Sequence, residues 1–325
     1  MRGRPREATP VAQICKILPR RLSDLIGRLG FTQRHRFPIP PSFMHAASPV
    51  PVTAPVIITV APVNYGDLSR FPSAAALVED ICACHAAGAS VVHFHVTDAA
   101  GRATADTTFF DSVVAGVQER GDIIIQASTG GVGVPWEVRT AALAARGLEM
   151  ASLNMGSCNL FGRAYVNTPD DIAQLARKLA EERVVPDMCF FEPGFFAALE
   201  GLPHDPAAAR NPVTSLCLGF PGALPASVEN LVFMKSKLPP RAEWTLVHHG
   251  SHDFALLAAA IAAGGNIRVG FEDSYELGGG RLAGSNADLV RKARLLVESL
   301  DRRVATPAET RTRYGITPRI ALPTS

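Results

Sequence analysis

From residue 56 onward the chain alternates between two rhythms. Short runs dense in apolar and β-branched residues recur, and longer segments with helical spacing separate them. The short runs are "VIITVAPV" (56–63), "SVVHFHV" (90–96), "DIIIQAST" (122–129), "MASLNMG" (150–156), "PDMCFFEP" (186–193), "SLCLGF" (215–220), "EWTLVHHG" (243–250) and "NIRVGFED" (266–273). Nearly continuous apolar runs of this length predict strands buried on both faces, as in a parallel sheet. Between them lie helix-forming segments such as "SAAALVEDICACHAAG", "DDIAQLARKLAEE", "SVENLVFMKSKL" and "DFALLAAAIAAGG", with a last helix at about 285–300 after the eighth strand. Strand starts fall roughly 23 to 36 residues apart, the spacing of βα units. Eight such units predict an α/β fold, a (β/α)₈ TIM barrel. An open, doubly wound sheet is the second reading. No GxGxxG follows the first strand and no GxxxxGK[ST] occurs, which argues against a nucleotide-binding version of either.

The polar residues collect where these strands end. His93 and His95 close the second run, and Ser128, Thr129, Gly130 and Gly131 the third. Asn154 and Ser157 follow the fourth, Glu192 the fifth, His248 and His249 the seventh, and Arg268, Glu272 and Asp273 the eighth. In a barrel these ends converge on one mouth, the place of active sites.

His93 and His95 sit two apart, so a strand presents both imidazoles on one face. They either hydrogen-bond within a polar barrel or hold a divalent ion. Glu272 is the candidate third ligand, giving a His₂Glu set with open positions, which suits Zn²⁺ or another divalent transition metal. On a regular strand Arg268 and Glu272 share one parity and Asp273 the other. Asp273 then either caps the following loop or acts as a general base oriented by Arg268. Such a base takes a proton from carbon beside a carbonyl. "STGG" (128–131) offers hydroxyls and backbone amides for a carboxylate or an oxyanion, or is simply a glycine turn. "LNMGSCN" (153–159) adds Asn154 and Ser157 as polar contacts. There is no GxSxG elbow for a serine hydrolase.

Composition refines this picture at the N-terminus. The net charge is +2, yet the first 37 residues carry nine Lys or Arg against Glu7 and Asp24, leaving the remainder mildly acidic. Residues 1–50 read as a basic, Pro-rich, poorly ordered extension, and 51–325 as the TIM-barrel catalytic domain. Residues 17–29 can form a short basic amphipathic helix, of transit or membrane-surface type. Met44, just ahead of the first strand, is the expected native start. The six cysteines show no zinc-finger or redox spacing, which favours a reducing cytoplasm. No apolar run reaches the length of a membrane span.

"AAGASVVHFHVTDAAGR", "IIIQASTGG", "EMASLNMGSCN", "LGFPGALPASVENLVFM" and "IRVGFEDS" together resemble the β-keto acid cleavage enzymes, a family typified by cleavage of 3-keto-5-aminohexanoate. The resemblance runs from about residue 55 to 315 in the family's order. It implies a TIM barrel with bound Zn²⁺, commonly a homotetramer. It also implies condensation of a β-keto acid with acetyl-CoA to give acetoacetate and a new acyl-CoA. On matching positions it makes His93, His95 and Glu272 the metal ligands, Arg268 and Asp273 the dyad that deprotonates the keto acid, and Ser128 a substrate contact.

Several loops depart from the family's pattern. Thr97 stands where HxHVRD has Arg. The stretch after strand one is "APVNYGDLSRF", with Asp67 a rough match for an acidic contact. "EPG" (192–194) replaces an Asp-Thr-Gly-like run, and "HHGSHD" (248–253) a GxGRHQ-like run. These differences lead to the expectation of a keto acid other than 3-keto-5-aminohexanoate. Two other functions fit the same residues: a metal-dependent aldolase or hydrolase that needs no CoA, and a non-catalytic metabolite-binding barrel. Nothing in the sequence points to nucleic acid as a partner.

Overall fold

The computed structural model describes residues 54–64, 67–71, 73–202 and 212–317. The basic, Pro-rich stretch read as an extension lies outside them, as does Met44. Eight parallel strands close into a barrel: β1 (Ile58–Val60), β2 (Val91–Phe94), β3 (Ile124–Ala127), β4 (Met150–Asn154), β5 (Val185–Phe190), β6 (Val213–Leu218), β7 (Glu243–His248) and β8 (Asn266–Val269). Each pairs with its neighbour in sequence, and β8 closes on β1 through Ile58–Ile267, Thr59–Arg268 and Val60–Val269. Six fall within the predicted runs, while β5 begins one residue ahead of its run and β6 two residues ahead. This is the (β/α)₈ barrel, and the open sheet is excluded by the β1–β8 pairing.

The outer ring is formed by α1 (Ala74–Ala87), α2 (Thr108–Gln118), α3 (Pro169–Glu181), α4 (Val228–Lys235), α5 (Ala255–Ala262) and α6 (Asn286–Ser299). After β3 the chain makes only one helical turn, Trp136–Arg139, and a 3₁₀ turn, Ala141–Ala144. After β5 the described residues form a 3₁₀ helix, Pro193–Gly201. Local signals set the helix starts. Thr168 and Asp171 form a reciprocal cap at α3, with Pro169 in the first turn, and Ser285 and Asp288 do the same at α6. No helix among the described residues is long and apolar enough to cross a membrane.

Strand alternation divides the apolar residues into two clusters. Outward positions such as Ile58, Val92, Phe94, Ile125, Leu153, Leu216 and Ile267 pack against the helices. Phe94, for example, stacks on Phe110 of α2 with centroids 4.5 Å apart. Inward positions at the strand starts (Ile57, Val91, Ile124, Met150 and Val213) form a second cluster with Tyr314 and Ile316. Tyr314 ends α7 (Pro307–Tyr314), so this helix plugs the N-terminal end of the barrel.

One step further up, every strand contributes a polar residue to the interior. Register places Thr59 opposite Arg268, His93 opposite Gln126, Ser152 opposite Asp187 and Ser215 opposite Thr245. A barrel core is ordinarily filled by branched aliphatic side chains. A polar layer here costs desolvation unless its groups pair with one another or serve a site above them.

Candidate active site

β2 ends in the mouth with His93 and His95 on one face, their rings 5.8 Å apart and nearly perpendicular. Glu272 comes from the opposite chain end. Its Oε1 lies 3.8 Å from His93 Nε2 and its Oε2 4.0 Å from His95 Nε2. One donor atom from each of the three residues falls within 4.8 Å of the others.

Arg268 is buried beside this corner and donates to both following carboxylates. Its Nε reaches Asp273 Oδ2 at 2.8 Å, and its Nη2 reaches Asp273 Oδ1 at 2.5 Å and Glu272 Oε1 at 3.0 Å. Strand parity alone would turn Asp273 away from Arg268, and Gly270 explains why it does not. Its φ of +141° ends β8, and a Cβ there would lie 2.1 Å from the Ala61 carbonyl oxygen. The amides of Asp273 and Ser274 both fold back to Gly270 O, at 3.0 and 2.9 Å. Two adjacent carboxylates therefore face one guanidinium.

The electrostatics suit metal ligation. Burial pushes the His93 imidazole well below its ordinary range, with the Arg268 cation and His95 acting in the same direction. Burial also lowers His95, against the opposing pull of Glu272. Neutral imidazoles are the ligating form. Burial alone would discharge Arg268, but Asp273 and Glu272 outweigh it and raise its pKa. Glu272 Oε2 is buried and has no hydrogen-bond partner. An orphaned carboxylate oxygen between two neutral imidazoles is a donor set that fits a divalent transition ion.

The predicted substrate residues fall into two groups. Ser128 lines the mouth, its Oγ accepting from Gly130 N at 3.3 Å. Gly130 lies against Asn154, since a Cβ there would be 3.4 Å from Asn154 Nδ2. Thr129 points the other way: its Oγ1 donates to Ser152 O at 2.6 Å and its amide to Ser152 Oγ at 2.9 Å. Asn154 donates from Nδ2 to the Tyr165 hydroxyl at 2.9 Å. Ser157 Oγ donates to Asn167 O and accepts from Asn167 N, at 3.0 and 2.8 Å. Arg139 joins these groups, donating to Thr129 O, Tyr165 Oη and Asn167 Oδ1 at 2.8, 2.9 and 2.8 Å. Ser157 and Thr129 thus hold the frame of the mouth. The antiparallel pair Cys158–Leu160 and Arg163–Tyr165 is built on that frame.

Arg139, Tyr165 and Asn167 were not among the predicted residues, nor were Gln126, Asp187 and Ser215 in the polar layer. Gln126 and Asp187 carry one sequence signal: each is a polar residue at inward parity on an otherwise apolar strand. Nothing in the spacing of Arg139, 13 positions from Gln126 by their residue numbers, reveals its contacts.

A family model described as "beta-keto acid cleavage enzyme" matches residues 55–316. The chain belongs to the β-keto acid cleavage enzyme family. A 3-keto-5-aminohexanoate cleavage enzyme of Fusobacterium nucleatum is 33% identical over 246 residues, 74% of this chain and 90% of that protein. The 3-dehydrocarnitine:acetyl-CoA trimethylamine transferase of Rhizobium meliloti is 30% identical, over 83% of this chain and all of that protein. The 3-oxoadipate:acetyl-CoA acetyltransferase of Cupriavidus necator is 30% identical, over 74% of this chain and 85% of that one. Among solved structures, apo ObcA superposes with a TM-score of 0.63 at 19% identity, covering 76% of this chain and 66% of ObcA, a likeness of fold.

Among the residues read from the sequence as departures from the family pattern, Thr97 and Asp67 lie in loops that are engaged locally. Thr97 is buried and bridges to Ala103, and the next residue, Asp98, pairs with Arg102 at 2.7 Å. Asp67 accepts from its own neighbour Ser69, through the amide at 3.0 Å and the hydroxyl at 2.5 Å. Burial raises the Glu192 carboxyl. His248 borders Arg268, Asp273, Ser251 and Ser274, and its Nδ1 is buried without a partner.

Proposed function

We propose that this chain is a metal-dependent β-keto acid cleavage enzyme. It condenses a β-keto acid with acetyl-CoA and releases acetoacetate and a new acyl-CoA. One observation carries the reading: the bidentate Arg268–Asp273 pair stands beside the His93, His95 and Glu272 corner, whose Glu272 Oε2 is buried and unpartnered. The names of the curated relatives, which pair keto acids with acetyl-CoA, support the same chemistry.

His93, His95 and Glu272 would hold the ion, Zn²⁺ being the best match to two imidazoles and a carboxylate. When bound, it supplies a Lewis acid for the carbonyl oxygen of the keto acid. The rest is done by side chains. Asp273 takes the proton from the carbon between the ketone and the carboxylate. Arg268 clamps both Asp273 oxygens, so the base is held in one orientation. Ser128 and the Gly130 backbone receive the substrate carboxylate, with Asn154 beside them. The enolate carbon then attacks the acetyl thioester, forming a carbon–carbon bond, and the CoA thiolate leaves. The thiolate attacks the original ketone, and cleavage of its bond to the same carbon gives the new acyl-CoA. The proton returns from Asp273 to that carbon, completing acetoacetate.

Asp67 is engaged with Ser69, and the loops after strands one, five and seven differ from the family pattern. They support a keto acid other than 3-keto-5-aminohexanoate. A panel of β-keto acids with acetyl-CoA tests the proposal directly. CoA-dependent acetoacetate is expected from at least one member. Turnover without CoA would transfer the site to an aldolase or hydrolase, and no turnover with any member would sink the reading.

A further inference from the structure

Beneath the metal corner the polar layer contains one continuous chain of hydrogen bonds. His93 Nδ1 lies 3.1 Å from Gln126 Oε1. Gln126 Nε2 donates to Asp187 Oδ2 at 2.9 Å, and Ser215 Oγ donates to the same oxygen at 2.8 Å. The chain crosses the barrel interior from β2 through β3 to β5 and β6. The Gln126–Asp187 bond passes over β4, which separates those two strands. Asp187 Oδ1 is buried and has no partner.

The direction of this chain follows from what each group can do. Asp187 Oδ2 accepts from Ser215 as well as from Gln126, so Gln126 turns its NH₂ toward Asp187. Its carbonyl oxygen then faces His93, and a carbonyl only accepts. His93 must therefore carry its proton on Nδ1. A neutral imidazole has one ring proton, so Nε2 is left with a lone pair. That nitrogen is the one facing Glu272. A reversed Gln126 amide would set two acceptors against each other at Asp187 and leave His93 free to protonate Nε2.

We infer that Asp187 is a positioning residue for the metal corner: acting through Gln126, it selects the His93 tautomer that offers Nε2 to the ion. The inference rests on the metal reading above. It adds that the corner is set from three strands away by a residue that touches neither metal nor substrate. The burial of Asp187 against its ionic form is then a cost incurred for orientation.

The test uses the full chain, stripped of metal and labelled with ¹⁵N in histidine. In the parent, the His93 ring should show a protonated Nδ1 and an unprotonated Nε2. In Asp187→Asn, which is isosteric but can present either oxygen or NH₂ to Gln126, the ring should become a mixture of tautomers. Zn²⁺ affinity, titrated against a chelating indicator, should fall by about 10- to 100-fold. Ser215→Ala leaves the Asp187 acceptor in place, so the tautomer should persist and affinity should fall less. Gln126→Met cuts the chain with Asp187 intact, and is the second route if Asp187→Asn does not fold. It should scramble the tautomer in the same way. An unchanged Nδ1–H signal in folded Asp187→Asn, or in Gln126→Met, overturns the inference, as does Zn²⁺ affinity within twofold of the parent. A parent chain that binds no Zn²⁺ would instead remove the metal reading, while the tautomer measurement would still decide the part played by Asp187.

Discussion

The two ends of the barrel treat buried polarity in opposite ways. At the N-terminal end, charges are matched to completion. Arg313 forks onto Glu243 and also reaches Asn266, and Arg311 forks onto Glu149 with contacts of 2.6 and 3.1 Å. Asn266 in turn accepts from Ile57 N at 2.9 Å and donates to Trp244 O at 3.2 Å. Four buried side-chain atoms among the described residues lack a partner: Asp187 Oδ1, His248 Nδ1, His249 Nδ1 and Glu272 Oε2. Three of them lie at the mouth, and Asp187 Oδ1 lies in the polar layer next to the plug, where Asp187 pairs in register with Val213. Saturated groups hold a fold together, whereas unsaturated ones persist where burial serves a site, directly or through another residue. The difference assigns stability to one end and chemistry to the other, and it can be broken experimentally at either.

The largest effect is expected at the corner itself. Glu272→Ala removes the orphaned donor and should reduce bound metal, read by elemental mass spectrometry, from about one ion per chain to background. Acetoacetate formation should vanish with it. A variant that kept both would place the ion elsewhere. Next comes Asp273→Asn, which keeps the shape of the clamp but not the base. The expected loss in kcat is about 10²- to 10⁴-fold with metal content unchanged. This pair of outcomes separates ligand from base, although the two residues are adjacent. Undiminished turnover in Asp273→Asn would return that residue to the role of a loop cap.

The barrel was legible because its signal is repetitive. Eight apolar runs recur with helical segments between them, and each run covers all or most of its strand. The corner was legible from the HxH spacing on β2 and the acidic end of β8, together with the family resemblance. The approach of Asp273 to Arg268 was not fixed by parity. It depends on the positive φ of Gly270 and the close passage of Ala61, and period-two alternation contains neither. Thr129 reads like Ser128 in "STGG", yet alternate parity sends it to Ser152 and the frame. Asp187 and Gln126 are two strands apart and 61 residues apart in the chain. Only closure of the barrel brings them together, so no local pattern could pair them. The same holds for Arg313 and Glu243 at the plugged end, 70 residues apart.

That pair supplies a prediction of intermediate size. Arg313 and Glu243 retain only 17% and 10% side-chain exposure. Removing one partner strands the other charge away from water. Arg313→Met should cost about 3 kcal/mol in denaturant unfolding, the lower end of the range for a broken buried pair. Because the substitution sits at the other end of the barrel, kcat/KM of the folded fraction should stay within about twofold of the parent, well below the losses expected at catalytic groups. A large fall in kcat/KM with unchanged stability would erase the division between the ends.

The smallest effect sharpens the same division through pH. Glu309 in the first turn of α7 is held at about 2 rather than the ordinary 4.5, chiefly by hydrogen bonding from Arg303 and then by the Thr306 amide. A carboxylate whose pKa is lowered on folding contributes stability that is complete above its ordinary pKa. That contribution fades as pH falls through the folded value. The charge-neutral variant Glu309→Gln should therefore melt slightly below the parent at pH 7, and the gap should close as pH approaches 2. The side chains of Glu309 and Arg303 are 36% and 62% exposed, so solvent screens the pair. The gap should accordingly be much smaller than that of Arg313→Met and shrink further in high salt. Zn²⁺ affinity should not change at any pH where the variant is folded. A Glu309→Gln variant that weakened Zn²⁺ binding would show that the plug helix and the metal corner are energetically coupled. The two ends would then have to be treated as one cooperative unit.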